Sequence, residues 1–204
     1  MLSGLVLAGG QSSRMRRDKA ALALPDGRTL MQRQVAVLRA AGAITIQVSV
    51  RPGAKADAAG VNLVVDAVAD AGPLAGIAAG LRAAPAGLVM VLAVDMPAIT
   101  EEHLRRLVEL ATATRGVVPM VAGQLEPLAA VYPANLATSA STWLAGGQRA
   151  VHAWVRSEVE QGNLLLWDAP ADWAPVFRSW NTPEDVAQTR VGNQGPCSSS
   201  LRLL

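Results

Sequence analysis

Short apolar runs rich in Val and Leu recur along the first half of the chain, at residues 4–8, 44–50, 62–65 and 88–94. Between them lie stretches with helical spacing. Residues 29–41 place Leu30, Val35, Val37 and Leu38 among Arg and Gln, then stop at Gly42, a residue suited to ending a helix. Residues 73–84 and 101–113 predict two further helices. Strands that read as unbroken apolar runs are buried on both faces, which suits a parallel sheet covered by helices. The alternation therefore predicts an α/β domain: a doubly wound, mostly parallel sheet with helices on both faces. Beyond about residue 115 the pattern loosens. Residues 116–119, 127–132 and 164–167 predict strands, and 134–144 and 149–158 predict helices. The expected organisation is a single domain over residues 1–190 and a mobile Gly-, Ser- and Asn-rich tail over 191–204.

Composition narrows the class. The 204 residues are 51% hydrophobic and 17% charged, which excludes disorder over the whole chain. Aromatics are only 3%, so the core is built from Ala, Val and Leu. Eighteen Lys and Arg against 16 Asp and Glu leave a formal charge of +2, too little for a broad cationic surface, so no nucleic-acid or membrane partner is expected. The longest uncharged run, 127–148, contains Pro133, Asn135 and Gly146-Gly147 and would not sit in hydrocarbon as one helix. The apolar residues 5–8 are followed, not preceded, by Arg14, Arg16, Arg17 and Lys19, the reverse of an export signal. A cytoplasmic protein is expected. The one cysteine, Cys197, offers neither an internal disulfide nor a metal cluster.

Candidate chemistry gathers where predicted strands end. The first strand runs into Gly9-Gly10-Gln11-Ser12-Ser13-Arg14-Met15-Arg16-Arg17-Asp18-Lys19. Paired glycines let a backbone bend and approach a ligand, and successive N–H groups in such a loop can form an anion nest. Arg14 and Lys19 add positive charge, so a phosphate-rich ligand fits. No Gly-Lys-Ser/Thr follows, and no Gly-x-Gly-x-x-Gly is present, so this is neither a P-loop nor the dinucleotide fingerprint. Asp66 follows the strand at 62–65, at the edge where open α/β sheets collect ligands. It precedes Gly72-Pro73-Leu74-Ala75-Gly76, where Pro73 suits the first helical turn. Gly72, Gly76 and Gly80 recur every four residues, as close packing on one helix face would require. Asp95 follows the most apolar strand directly. A carboxylate there can hold Mg²⁺ against a triphosphate with few protein ligands. Helix capping explains Thr100, Glu101 and Glu102 but not Asp95. Asn181-Thr182-Pro183-Glu184-Asp185 reads as the start of a last helix. His103 and His152 are isolated and read as surface or packing residues, and the five Trp as core or interface filler.

The segment Leu7-Ala8-Gly9-Gly10-x-x-x-Arg14-Met15, followed by Asp18-Lys19, resembles the signature loop of the sugar-nucleotide-type nucleotidyltransferases, in particular the molybdenum cofactor guanylyltransferase (MobA-like) branch. Gly-Pro-Leu-Ala-Gly after Asp66, the Asp-x-Pro at Asp95 and the Asn-Thr-Pro-Glu at Asn181 extend the resemblance. It implies a Rossmann-like nucleotidyltransferase fold and transfer of GMP from GTP to the phosphate of molybdopterin cofactor, with Mg²⁺ as cofactor. By resemblance, Leu7, Ala8, Gly9, Gly10, Arg14 and Lys19 wrap the triphosphate, Asp66 lies beside the nucleoside, Asp95 binds the metal and Asn181 lies near it. Glu126 and Arg149 fall in segments that line the acceptor pocket; they read equally well as a turn residue and a solvated helix residue. Arg16 and Arg51 stand where the family has Gly and Asn. A cytidylyltransferase using CTP on the same cofactor, and a nucleotide-binding module without turnover, remain as alternatives. Cofactor-synthesis proteins or molybdoenzyme chaperones are the implied transient partners.

Overall fold

A computed structural model of the protein describes residues 1–8, 24, 26–50, 60–65 and 72–180. The expected tail at 191–204 and the helix expected after Thr182 lie outside the described residues.

The described chain forms strands β1 (Leu2–Leu7), β2 (Thr45–Val50), β3 (Asn62–Val65), β4 (Leu88–Ala93), β5 (Gly116–Val121), β6 (Gln124–Leu125), β7 (Ala129–Pro133) and β8 (Leu164–Asp168). Helices α1 (Leu30–Ala40), α2 (Pro73–Ala83), α3 (Glu101–Leu110), α4 (Ala137–Ala145) and α5 (Val151–Glu160) connect them. Strand order is β3-β2-β1-β4-β7-β5-β6, with β8 paired to β5. The β3-β2-β1-β4 half is parallel, as the alternating pattern predicts. β7 runs antiparallel to both β4 and β5, and β8 parallel to β5. The short β6 was not expected; it is the return limb of a tight hairpin whose turn places Ala122 at φ 48° and Gly123 at φ 77°.

The core lies on both sheet faces. On one, Leu30, Val35 and Leu38 of α1 and Leu104 and Leu107 of α3 pack on Val6, Val48, Met90 and Leu92. On the other, Leu74, Ile77 and Leu81 of α2, Ala140 of α4 and Trp154 of α5 pack on Leu5, Val89, Val91 and Tyr132. Each large apolar side chain buried this way contributes about 1.5–3 kcal/mol.

Local chemistry explains the ends. In α1, Thr29 Oγ1 accepts from Gln32 N–H at 3.1 Å and Gln32 Oε1 accepts from Thr29 N–H at 2.9 Å, a reciprocal cap. The glycines of α2 divide by role. A Cβ at Gly76 would sit 2.6 Å from Ser49 Oγ, and one at Gly80 would fall inside the Leu5 side chain, so both are packing glycines against the sheet. Gly72 is different: it caps α2 at φ 73° with open space where a Cβ would be, so its requirement is backbone conformation and not packing. β3 also departs from expectation. Its apolar run forms the sheet edge, with Leu63 46% and Val65 55% exposed.

Candidate active site

β1, β2, β3 and β4 all end at one edge of the sheet. Leu7 pairs with Ala93, and beyond that pair Val94 N–H donates to Leu7 O at 3.1 Å while Ala8 N–H donates to Ser49 O at 3.1 Å. The chain therefore leaves β1 at Ala8, pinned between β2 and the turn that carries Asp95. Gly9, Gly10, Arg14, Arg16 and Lys19 come next in sequence and lie outside the described residues, as do Arg51, Asp66 and Asn181. Val65, the residue before Asp66, pairs with Val50 at the same edge.

Asp95 is half-buried. Its turn is tied on every side by main-chain bonds. Ala93 N–H donates to Leu128 O at 2.8 Å and Trp180 N–H donates to Asp95 O at 2.7 Å. The second bond brings the end of the described chain, and with it the residue preceding Asn181, to the Asp95 backbone. From α1, Gln34 Nε2 donates to Ala93 O at 3.0 Å and Met96 O at 2.9 Å.

Beyond the turn, α3 starts with Thr100 as its cap and Glu101 and Glu102 in its first turn, as expected. His103 has a part that sequence reasoning missed. Its Nδ1 accepts from Thr100 N–H at 3.2 Å and lies 2.7 Å from Thr100 Oγ1, so it completes a capping box. Its ring meets Trp173 edge-on at 4.4 Å, and Trp173 in turn contacts Trp167 and Phe177. Burial lowers the His103 pKa from its ordinary value. This aromatic cluster seats the segment that runs on to Trp180.

Glu126 and Arg149 return to the same edge by topology. Glu126 N–H donates to Pro119 O at 2.9 Å, just ahead of Leu128, whose carbonyl holds Ala93. Burial raises the pKa of the half-buried Glu126. Arg149 is exposed in the turn between α4 and α5 and precedes the helix instead of lying inside it, because α5 starts at Val151. β7 ends opposite Leu88 at the far edge, so α4 rises from there and its terminal turn comes back to the carboxyl edge.

Among the described residues no group of three or more His, Cys, Asp or Glu could hold a metal ion. A dedicated protein cage is therefore absent among them. A single carboxylate on a rigid turn fits an ion that takes its remaining ligands from substrate phosphates and water, the usual habit of Mg²⁺. The signal for Gln34 was present in the sequence: it is an amide inside the apolar stripe of α1, flanked by Leu30, Val35 and Leu38. Among the described residues no helix is long and apolar enough to cross a membrane.

Residues 4–162 match the family model for the MobA-like NTP transferase domain. A protein of Opitutus terrae named "probable molybdenum cofactor guanylyltransferase" is 42% identical over 192 residues, 93% of this chain and 95% of that one. A protein of the same name from Mycobacterium avium is 36% identical over 168 residues, covering 80% and 85%. The crystal structure of molybdopterin-guanine dinucleotide biosynthesis protein A from Archaeoglobus fulgidus superposes with a TM-score of 0.70 at 22% identity, covering 96% of this chain and 100% of that one. The doubly wound sheet is thus a Rossmann-like nucleotidyltransferase fold, and the chain belongs to the MobA-like NTP transferase family.

Proposed function

We propose that the protein transfers GMP from GTP to the phosphate of a molybdopterin-type cofactor and releases pyrophosphate. The observation that carries this reading is the joining of the β1 exit to the Asp95 turn through Val94 N–H and Leu7 O, in a chain of this family. That bond sets the end of β1, after which the glycine- and cation-rich sequence follows, beside the backbone of the Asp95 turn.

The chemistry joins two anions. An acceptor phosphate oxygen forms a bond to the α-phosphorus of GTP, the bond from that phosphorus to the bridging oxygen breaks, and the electron pair leaves with pyrophosphate. Holding both reactants in line can contribute roughly 7–11 kcal/mol. Fixed positive charge aimed at the leaving group adds several more. In this division of work the backbone from Leu7 to Gly10, with Arg14 and Lys19, holds the triphosphate. Asp66 orients the nucleoside, Glu126 and Arg149 face the acceptor, and Asn181 supports the metal side. Asp95 would hold Mg²⁺, which when bound neutralises charge on the phosphate oxygens. A phosphate monoester is largely ionised at neutral pH, its second pKa being about 6. No strong general base is then needed, consistent with His103 being spent on a helix cap. On this reading residues 1–190 act as one domain, and the protein works in the cytoplasm in transient contact with cofactor-synthesis proteins or molybdoenzyme chaperones.

Pyrophosphate release with GTP, Mg²⁺ and molybdopterin cofactor tests the reading, with CTP run in parallel. Release is expected only when the cofactor is present, and faster from GTP by about a hundredfold or more, as sites that hydrogen-bond a base discriminate. Preference for CTP would make the protein a cytidylyltransferase. Nucleotide binding without release would make it a binding module.

A further inference from the structure

We infer that Gln34 is a positioning residue for Asp95: an amide clasp, reaching from α1, that fixes the two carbonyls flanking the carboxylate. The inference rests on the reading of Asp95 as the metal-holding group. Gln34 is 0% exposed on the apolar face of α1, where a polar side chain costs stability unless every polar group is paired. It is paired. The two amide hydrogens go to Ala93 O at 3.0 Å and Met96 O at 2.9 Å, the carbonyls on either side of the Val94-Asp95 step. The amide oxygen accepts from Arg33 Nη1 at 3.0 Å, and the same nitrogen donates to Ile99 O at 3.0 Å. The amide can point only one way, since carbonyls only accept and a guanidinium only donates.

A core helix facing a strand end needs no such device for packing; a leucine would fill the volume. The bonds lock the torsions around Asp95 from a direction that no strand partner supplies, while the Asp95 carbonyl is held separately by Trp180 N–H. Arg33 extends the clasp to Ile99, just ahead of α3, so hydrogen bonds tie α1 to the Asp95 turn and to the approach to α3.

The test compares Gln34→Met, Arg33→Met and Asp95→Asn with the parent chain. The readouts are kcat, KM for GTP, thermal unfolding, and the dissociation constant of Mn²⁺ added to the protein–GTP mixture, followed by electron paramagnetic resonance. Outer-shell partners of metal ligands typically cost 10–100-fold in affinity or activity when removed. Gln34→Met is expected to lower kcat and weaken Mn²⁺ by about tenfold or more, with KM for GTP little changed. Arg33→Met should shift both in the same direction by less. Parental kcat and Mn²⁺ affinity in folded Gln34→Met, with both lost in Asp95→Asn, would overturn the clasp and leave the metal reading intact. Parental values in Asp95→Asn would remove the metal reading and the clasp's purpose with it. Should Gln34→Met fail to fold, Arg33→Met decides: unchanged kcat and Mn²⁺ affinity overturn the inference.

Discussion

At the scale of single residues, Asp95 combines a half-buried carboxylate with a backbone that cannot drift. Its neighbours donate to Leu7 O and Leu128 O, and its own carbonyl is held by Trp180. On the proposed function a carboxylate fixed in this way would hold a cation, and that cation would meet the negative charge developing on the leaving group without reorganisation. Asp95→Asn keeps the shape and removes the charge. It should cost about 10²–10³ in kcat, the loss seen when one such electrostatic partner is removed, while circular dichroism stays unchanged. Lys19→Ala acts on binding instead. Loss of a charged hydrogen bond of about 1.5–3 kcal/mol should weaken GTP by roughly 10–100-fold in calorimetry, and an unchanged dissociation constant would take Lys19 out of the triphosphate site. Asp95 and Asp66 stand out in the sequence because each follows an apolar run, and the structure places Asp95 on a half-buried turn at the end of β4. Gln34 was marked only by its place inside the apolar stripe of α1; that its amide meets two carbonyls of the Asp95 turn emerges only in the tertiary fold.

Elements show where capping and packing decide stability. Gly80 lets α2 lie directly on Leu5. Gly80→Val should destabilise by about 1–3 kcal/mol through overpacking, outweighing the few tenths gained in helix propensity. For a chain of this size each kcal/mol lowers Tm by about 2–4 °C. A pH effect belongs to α3. Burial holds His103 below its ordinary 6.5, with Glu102 and Asp172 pulling the other way. On acidification the unfolded chain takes up the proton first. His103 therefore removes stability as pH falls below about 6.5 and on through the lowered folded value, and the cap is at full strength above that range. His103→Gln keeps an acceptor at the same capping position without a titrating ring. Its Tm should fall less than the parent's between about pH 7.5 and about pH 5.5; equal slopes would show that the ring does not titrate against the fold. Apart from the short β6, element type and order were readable from periodicity, and the starts of α2 and α3 from Pro73 and Thr100. The burial of β3 was not, because the short apolar run Leu63-Val64-Val65 looks the same at a sheet edge as at its centre.

Across the whole molecule, β1 and β4 occupy the middle of the sheet and deliver Ala8 and Asp95 to one edge, while the antiparallel β7 and the hairpin before it bring Glu126 back to that edge. Strand direction in this second half was beyond the sequence pattern: β7 carries the same buried apolar run as a parallel strand, and only its pairing with β4 distinguishes the two. The glycine loop, Asp66 and Asn181 each adjoin a described residue anchored at the edge, namely Ala8, Val65 and Trp180. On the proposed function a triphosphate and its metal would lie across the ends of β1 and β4. A crystal grown with GTP and Mn²⁺, examined for the anomalous scattering of manganese, tests this most directly. The expected result is a peak about 2.1 Å from an Asp95 carboxylate oxygen, with the triphosphate against Ala8. Manganese and triphosphate bound elsewhere, with no metal at Asp95, would contradict it.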